Sequence, residues 1–566
     1  MSSDVILGIN YAFHDTSACL LVNGTLVAAV EEERFSRNKH TWVFPERAIG
    51  SCLKIAGLTL SDVKHIAVSL DRSLHWGPKL LHALKNPRRA KSFLMREVWQ
   101  TFYNRESSLS EFVSKNWPQD KPVLHRVPHH LAHSAGSFFA SPYETAAVLS
   151  LDGSGEWATA SIGAGQGASY KTFNETFFPD SLGSFYETAT QFCGFKPNYD
   201  EGKTMGLAPM GDPEPFYSIV DKMIEVNEDG SFRVDSPGFN FQYHEHERFN
   251  ETFTNLFGPA RKPNKDEPFE EHHLNVAAAF QKVLEEKVLE ICAALHRRTK
   301  EKYLVISGGV SLNSVMNGRI IRESEFEDVY VMPAAGDNGT SIGAAYYVHC
   351  AVLGQGRSEP HLNPYLGTSY TDDQILEVLS EAKAKFKKSN NVAGDVADLL
   401  ASQKILGWFQ GRMEIGPRAL GGRSIIADPT SPLMKDKINA EVKHREAYRP
   451  FAPSALVERR NEYFDIGVED PFMLKVCNVL PEKQSLLPAI THVDGTARLQ
   501  TVNKETNPMY YDMIEALGQR NGVPVVLNTS FNVMGEPIVE SPLDAIRCFY
   551  STGLDALAIG SFIIEK

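Results

Sequence analysis

The chain has 566 residues, of which 42% are hydrophobic and 22% charged, and its net charge is −13. That length exceeds what one hydrophobic core fills, so at least two domains are expected. The acidic balance excludes a nucleic-acid or anionic-lipid surface as the main business, because both favour a clustered basic face.

Val5–Ile9 and Ser17–Val22 are apolar runs that read as strands, and Asn23-Gly24 turns the second into a third, Leu26–Val30. The loop between the first two carries His14-Asp15. A related pattern returns at Ala146–Leu151, where Asp152-Gly153-Ser154-Gly155 leads into Ala158–Ile162. The two loops lie roughly 140 residues apart, and the repeat reads either as a duplicated unit lining a cleft or as two unrelated hairpins. Residues 164–270 look irregular. Leu274–His296 has helical periodicity. Tyr303–Ile306 is a strand running into Gly308-Gly309, and Val329–Met332 another running into Gly336-Asp337-Asn338-Gly339. A small-residue helix, Thr340–Tyr347, follows.

Gly354–Tyr365 marks a boundary, giving domains 1–360 and 361–566. Beyond it, Val392–Ser402 reads as helix, Ile405–Phe409 and Val523–Leu527 as strands, and Leu554–Ile564 as further strands. Ser541–Tyr550 reads as a helix with Ser541 as N-cap and Pro542 at N1. Alternating strands and helices predict an α/β second domain. Residues 74–118 and 227–266 carry no motif. The seven cysteines show no CxxC spacing and read as reduced thiols of a cytoplasmic protein. No signal peptide is expected, and no run reaches the ~18 apolar residues of a membrane helix.

His129-His130-Leu131-Ala132-His133 is the sharpest signal. His129 and His133 share one face if the segment is helical and can grip one metal. A zinc protease needs Glu directly after the first His, and His130 stands there instead. Two imidazoles rarely complete a site. Asp152 and Asp337, on loops at strand ends, are the best further ligands. The His2Asp2 set suits Fe(II), Mn or Zn. Gly308, Gly309 and Gly336 lie on loops of the kind that offer backbone N–H groups to phosphate. In the second domain Arg412, Arg418, Arg423, Lys443, Arg445 and Arg449, with Asn528, Ser530 and Asn532, suit a polyanion such as ATP.

These motifs, together with Gly8-Ile9-Asn10, Glu31-Glu32-Glu33-Arg34-Phe35-Ser36-Arg37, Gly308–Asn313 and Gly411–Gly421, resemble the O-carbamoyltransferases of antibiotic and nodulation-factor biosynthesis over essentially the whole chain. The resemblance implies an α/β protein. Its first domain would be actin/hexokinase-like with duplicated halves, similar to the tRNA threonylcarbamoyl-transfer protein, and its second YrdC-like. It makes His129, His133, Asp152 and Asp337 the metal ligands, with Fe(II) the expected ion. It puts His14, with Asp15, near the acceptor hydroxyl. Lys443, Arg418 and Ser530 become catalytic, and Gly308, Gly309, Asn313, Gly336, Arg445, Arg449, Asn528 and Asn532 binding residues. It also implies ATP with Mg2+, carbamoyl phosphate as donor, carbamoyl adenylate as intermediate and a hydroxyl-bearing small molecule as acceptor. A homodimer, with no nucleic-acid or membrane partner, is expected. An actin/hexokinase-fold kinase and a non-catalytic nucleotide-binding regulator are the competing readings.

Overall fold

The computed structural model describes residues 4–11, 14–85, 95, 106–244, 246–263, 267–446 and 448–566. Parts of the motif-free stretches 74–118 and 227–266, and the first three residues of the N-terminus, therefore lie outside the described residues. Two compact units result: residues 1–27 with 42–361, and residues 28–41 with 362–566.

The first unit is built on two five-stranded sheets of one topology. In the first, β1 (Val5–Asn10) runs antiparallel to β2 (Ser17–Val22) and parallel to β4 (His65–Val68), with β3 (Thr25–Glu31) outside β2 and β5 (Val123–Arg126) outside β4. In the second, β6 (Thr145–Leu151) runs antiparallel to β7 (Ala158–Gln166) and parallel to β9 (Tyr303–Ser307), with β8 (Ser169–Phe177) and β10 (Asp328–Val331) at the edges. The orders 3-2-1-4-5 and 8-7-6-9-10 are the same walk made twice. The repeat seen in the two strand–loop–strand units is therefore a duplication of architecture, as an actin/hexokinase-like domain with similar halves requires. The turn after β2 has Asn23 at φ 51° and Gly24 at φ 82°, the two left-handed residues of a type I′ hairpin.

Three helices matter for the site. They are α1 (His129–Ala140), α3 (Glu271–Thr299) and α5 (Thr340–Tyr347). Each of the two halves sends one small-residue helix, α1 and α5, into the middle of the unit. They touch at glycine: a Cβ on Gly343 would sit 1.8 Å from the carbonyl oxygen of Ala132. The irregular reading of residues 164–270 was too loose. Helix α2 (Leu182–Phe192) lies there, and its apolar residues Leu182, Phe185, Tyr186, Ala189 and Phe192 follow a helical period inside a stretch otherwise rich in Gly, Pro and Asn.

The second unit has an eight-stranded mixed sheet covered on both faces. In spatial order the strands are β11 (Lys387–Lys388), β18 (Phe562–Glu565), β17 (Ala556–Ile559), β12 (Leu406–Phe409), β13 (Arg423–Ala427), β16 (Val525–Ser530), β14 (Ala452–Leu456) and β15 (Gln500–Val502). Alternate residues feed opposite cores. Ile425, Leu527 and Leu557 pack with Leu379 and Phe549, while Ile426, Val526 and Ala558 pack with Leu400 and Met513. The helices on the two faces include α6 (Asp372–Glu381), α7 (Val392–Ala401), α8 (Pro508–Asn521) and α9 (Pro542–Tyr550). Ser541 caps α9, accepting from Asp544 N at 3.2 Å, as its sequence indicates. Among the described residues no helix is long and apolar enough to cross a membrane.

Residues 28–41 belong to this second unit, and their acidic run clamps a loop of it. Glu31 Oε1 accepts from Gly416 N at 2.8 Å, and Arg34 Nη2 donates to Gly416 O at 2.7 Å. Arg34 also pairs with Glu31 and Glu33 at 3.2 and 3.0 Å, buried. Glu414 Oε1 gathers the backbone N–H groups of Leu420, Gly422 and Arg423. The Gly411–Gly421 stretch is thus held from two sides by carboxylates.

Candidate metal centre and cation cluster

Helix α1 begins at His129, so His129 and His133 lie one turn apart on the same face. Its first N–H is accepted by Glu156, at 3.0 and 3.1 Å from the two carboxylate oxygens. Asp152 follows β6, and Asp337 opens a single turn after β10. The Nε2 atoms of His129 and His133 are 3.0 Å apart. Asp152 Oδ2 lies 3.2 and 3.6 Å from them, and Asp337 Oδ1 3.4 and 3.6 Å. All four residues are buried, and the four ligand atoms lie within 4.8 Å of one another.

These spacings test whether a metal fits. Metal–ligand bonds of about 2.0–2.2 Å in tetrahedral geometry place ligand atoms about 3.3–3.6 Å apart. The observed separations bracket that range, and the mixed nitrogen and carboxylate donors suit a borderline divalent ion. Asp152 keeps its second oxygen for Gly309 N, at 2.9 Å, which fixes its rotamer. Electrostatics agree. Burial lowers the His129 pKa, but Asp337 and Asp152 outweigh it and hold the ring well above the usual range. Burial raises both carboxylates, yet the histidines keep Asp337 at about 2 and Asp152 well below its ordinary value. So dense a set of charges in a buried space is what a cation would occupy. His130 lies apart. It bonds Ser150 Oγ at 3.1 Å, and burial drops it to about 3, leaving it neutral.

His14 is partly exposed and pairs with Asp15 Oδ2 at 2.8 Å. Burial opposes its charge, but Asp15, Asp337 and Asp152 raise its pKa to about 10. Asn10 ties this loop to the metal ligands, donating to Asp337 O at 3.0 Å and to the carbonyls of His14 and Asp15.

In the second unit, Lys443 Nζ donates to Ser530 O, to Ser530 Oγ at 3.3 Å and to Asn532 Oδ1 at 2.8 Å. Ser530 Oγ donates to Asn532 Oδ1 at 2.6 Å. Around them stands a crowd of cations. Lys443 is pushed well below its ordinary pKa by burial and by Arg445, Arg449 and Lys39. Burial and Arg449 lower Arg445 to about 9 and Arg418 to about 10. Burial, Arg418 and Arg445 also depress Arg498 strongly. Guanidinium groups nonetheless stay charged in proteins. Mutual repulsion of fixed cations is relieved by an anion among them.

Two family models match the chain, one described as carbamoyltransferase N-terminus over residues 5–346 and one as carbamoyltransferase C-terminus over residues 397–566. The chain belongs to the carbamoyltransferase family. It is 40% identical to an uncharacterised protein of Synechocystis sp., the match covering 99% of this chain and 96% of that one. It is 38% identical to the nodulation protein NolNO of Sinorhizobium fredii, over 98% of this chain and 80% of the relative. Identity to the 3'-hydroxymethylcephem-O-carbamoyltransferase of Amycolatopsis lactamdurans is 31%, over 65% of each. This carbamoyltransferase is accordingly a transferase, with a carbamoyl donor and an acceptor to accommodate.

The remaining sequence-derived residues divide by what they touch. Gly308 has φ 87°, and a Cβ there would meet Leu151 O at 2.1 Å. It lets the loop pass close to the Asp152 strand. Gly309 serves Asp152 through its N–H. Gly336 precedes the Asp337 turn. Asn313 caps the helix Ser314–Glu323 through Met316 N and exchanges hydrogen bonds with Gln281. Asn528 is committed to Ala419 O, Ser454 Oγ and Gln500 Oε1. Arg412 and Arg423 bond backbone carbonyls. Sequence reasoning missed Arg498 and Glu156, and gave Asn10 no role beyond its place in the Gly8-Ile9-Asn10 motif. Arg498 ends the short strand Thr496–Arg498 with no flanking motif, so nothing local marked it.

Proposed function

We propose that this carbamoyltransferase makes carbamoyl adenylate from carbamoyl phosphate and ATP in the second unit. The first unit then transfers the carbamoyl group to a hydroxyl of a small molecule. The domains expected from sequence, 1–360 and 361–566, are proposed as the transfer and activation parts. The observation that carries the reading is the pairing, in one family member, of a buried His2Asp2 quartet with a separate cluster of facing cations.

In the activation half-reaction, water hydrolyses carbamoyl phosphate, releasing phosphate and leaving carbamate. The carbamate oxygen attacks the α-phosphorus of ATP, bound with Mg2+, and pyrophosphate leaves. Lys443, Arg418, Arg445, Arg449 and Arg498 offset the phosphate charge that develops. Ser530 and Asn532 fix the direction of the Lys443 ammonium group.

In transfer, the acceptor oxygen attacks the carbamoyl carbon and AMP leaves. A divalent ion in the quartet, with Fe(II) the best match to the donors, would supply Lewis-acid polarisation of the adenylate. His14 positions the acceptor hydroxyl while charged, and as the neutral imidazole takes its proton. Asp15 sets the ring's orientation.

The test is incubation with carbamoyl phosphate and ATP. Pyrophosphate release dependent on both substrates supports the reading. Release of ADP would instead favour a kinase, and no nucleotide turnover a regulator. Mass spectrometry of a hydroxylated metabolite pool then looks for the gain of one carbamoyl group.

A further inference from the structure

Residues 28–41 reach the cation cluster by a route separate from the clamp on Gly416. Arg37 follows the single helical turn Glu33–Ser36 and holds φ 57°, a left-handed conformation that glycine adopts at less cost. Its side chain supplies what glycine could not. Nη1 donates to Ile538 O at 2.7 Å and Nη2 to Pro537 O at 2.9 Å, so the planar fork grips two successive carbonyls. Carboxylate oxygens of Glu536 and Asp544 lie 3.7 and 3.9 Å from the same guanidinium. The gripped loop in turn holds Asn532, whose Nδ2 donates to Glu536 O at 2.6 Å. With its nitrogen so engaged, the amide turns Oδ1 the other way. That oxygen accepts from Lys443 Nζ at 2.8 Å and from Ser530 Oγ at 2.6 Å. Lys443 Nζ also donates to Asn532 O at 3.0 Å. A continuous chain of polar contacts thus runs from Arg37 to the Lys443 ammonium, entirely inside the second unit.

We propose that Arg37 is a positioning residue of the second unit's cation cluster, fixing the direction of Lys443 by pinning residues 536–538 and, through them, the Asn532 amide. The inference deepens the activation reading above and rests on it for the nature of the anion, a polyphosphate. An asparagine amide turned over keeps its shape but exchanges an acceptor for a donor. Turned over here, Asn532 would aim N–H groups at an ammonium and a hydroxyl, leaving Lys443 one acceptor short. The Glu536 carbonyl prevents this only while its own loop stays in place. Glu536 follows Gly535, at φ 88°, a residue that lends the loop little stiffness of its own. One guanidinium meeting two carbonyls and two carboxylates supplies that stiffness. Arg37 acts through Asn532 and takes no part in bond making.

Calorimetric titration of the full chain with inorganic pyrophosphate and Mg2+ tests this, in a double-mutant cycle with Asn532→Ala. Arg37→Ala is expected to weaken pyrophosphate binding about ten-fold, the effect of one misaimed charge-assisted donor. Arg37→Lys keeps a positive charge opposite Glu536 and Asp544 but not the fork, and should weaken binding as much. In the Asn532→Ala background neither substitution should change the affinity by more than about two-fold. A merely structural role would lower affinity by the same factor in both backgrounds, and that result overturns the inference. So does wild-type affinity in Arg37→Ala or in Arg37→Lys, or no pyrophosphate binding by the wild type. Pyrophosphate release by the wild type with ATP and carbamoyl phosphate is read separately. Its absence beside the expected cycle would refute the activation reading, whereas release with losses that multiply would refute the Arg37 assignment alone.

Discussion

Lys443 is an amine buried among guanidinium groups, and its hydrogen bonds go to one short stretch, Ser530 to Asn532. Replacing Lys443 or Arg498 by Ala is expected to cut pyrophosphate release about 10²-fold, the usual loss when one donor to a developing anion is removed. Metal content should stay at the wild-type level, measured by elemental analysis. His129→Ala and His133→Ala should do the reverse, losing the bound metal and carbamoyl transfer while pyrophosphate release continues. Glu201 gives a pH effect on stability. Burial first, then the charge of Glu187, raises its carboxyl to about 8 from 4.5. A raised folded pKa means that the stabilising contribution is complete below about 4.5 and is lost as pH climbs to about 8. The wild type should therefore lose stability across that window relative to Glu201→Gln, as urea unfolding at several pH values would record.

At the scale of elements, the site depends on α1 and α5 lying backbone to backbone. Gly343→Ala would drive a methyl into the Ala132 carbonyl. A cost of about 1–3 kcal/mol and weaker metal retention are expected, since α1 carries both histidines. Thermal unfolding and metal analysis of that variant check both. Much of this level is legible in the sequence. Histidines four apart on a helix, and aspartates on the loops that leave strands, are local patterns, and local patterns survive into the fold. The duplication is legible only in part, because two strand–loop–strand units fit chance hairpins as well, and the matching strand orders decide it. Helix α2 has a helical period too, in Leu182, Phe185, Tyr186, Ala189 and Phe192, but it is three turns long and embedded in a Gly-, Pro- and Asn-rich stretch that reads as loop. Arg498 and Glu156 escaped because their importance comes from neighbours distant in sequence. Asn313 and Asn528 show the converse, since polar residues within recognisable motifs here bind helix ends and strand interiors.

For the whole molecule, the acidic run at residues 31–34 is the least foreseeable feature. The sequence marks it only as a motif with no stated role, and the structure makes Glu31 and Arg34 a buried pair locked on Gly416. Removing one partner of such a pair leaves an uncompensated charge. Arg34→Ala should thus cost about 3–5 kcal/mol, visible as an earlier urea transition. A fragment of residues 362–566 should be poorly folded alone and gain stability when a peptide of residues 28–41 is added, as circular dichroism would follow.

That borrowed segment also sets a timetable. A ribosome makes residues 28–41 some four hundred residues before the loop they clamp, by direct numbering of Arg34 against Gly416. Throughout synthesis a buried-in-the-end guanidinium and three carboxylates must wait in water. Residues 28–41 and the loop at Gly416 can settle only once both have been made. A chain truncated by premature termination would therefore leave a telltale acidic strap exposed, distinguishing unfinished molecules from complete ones.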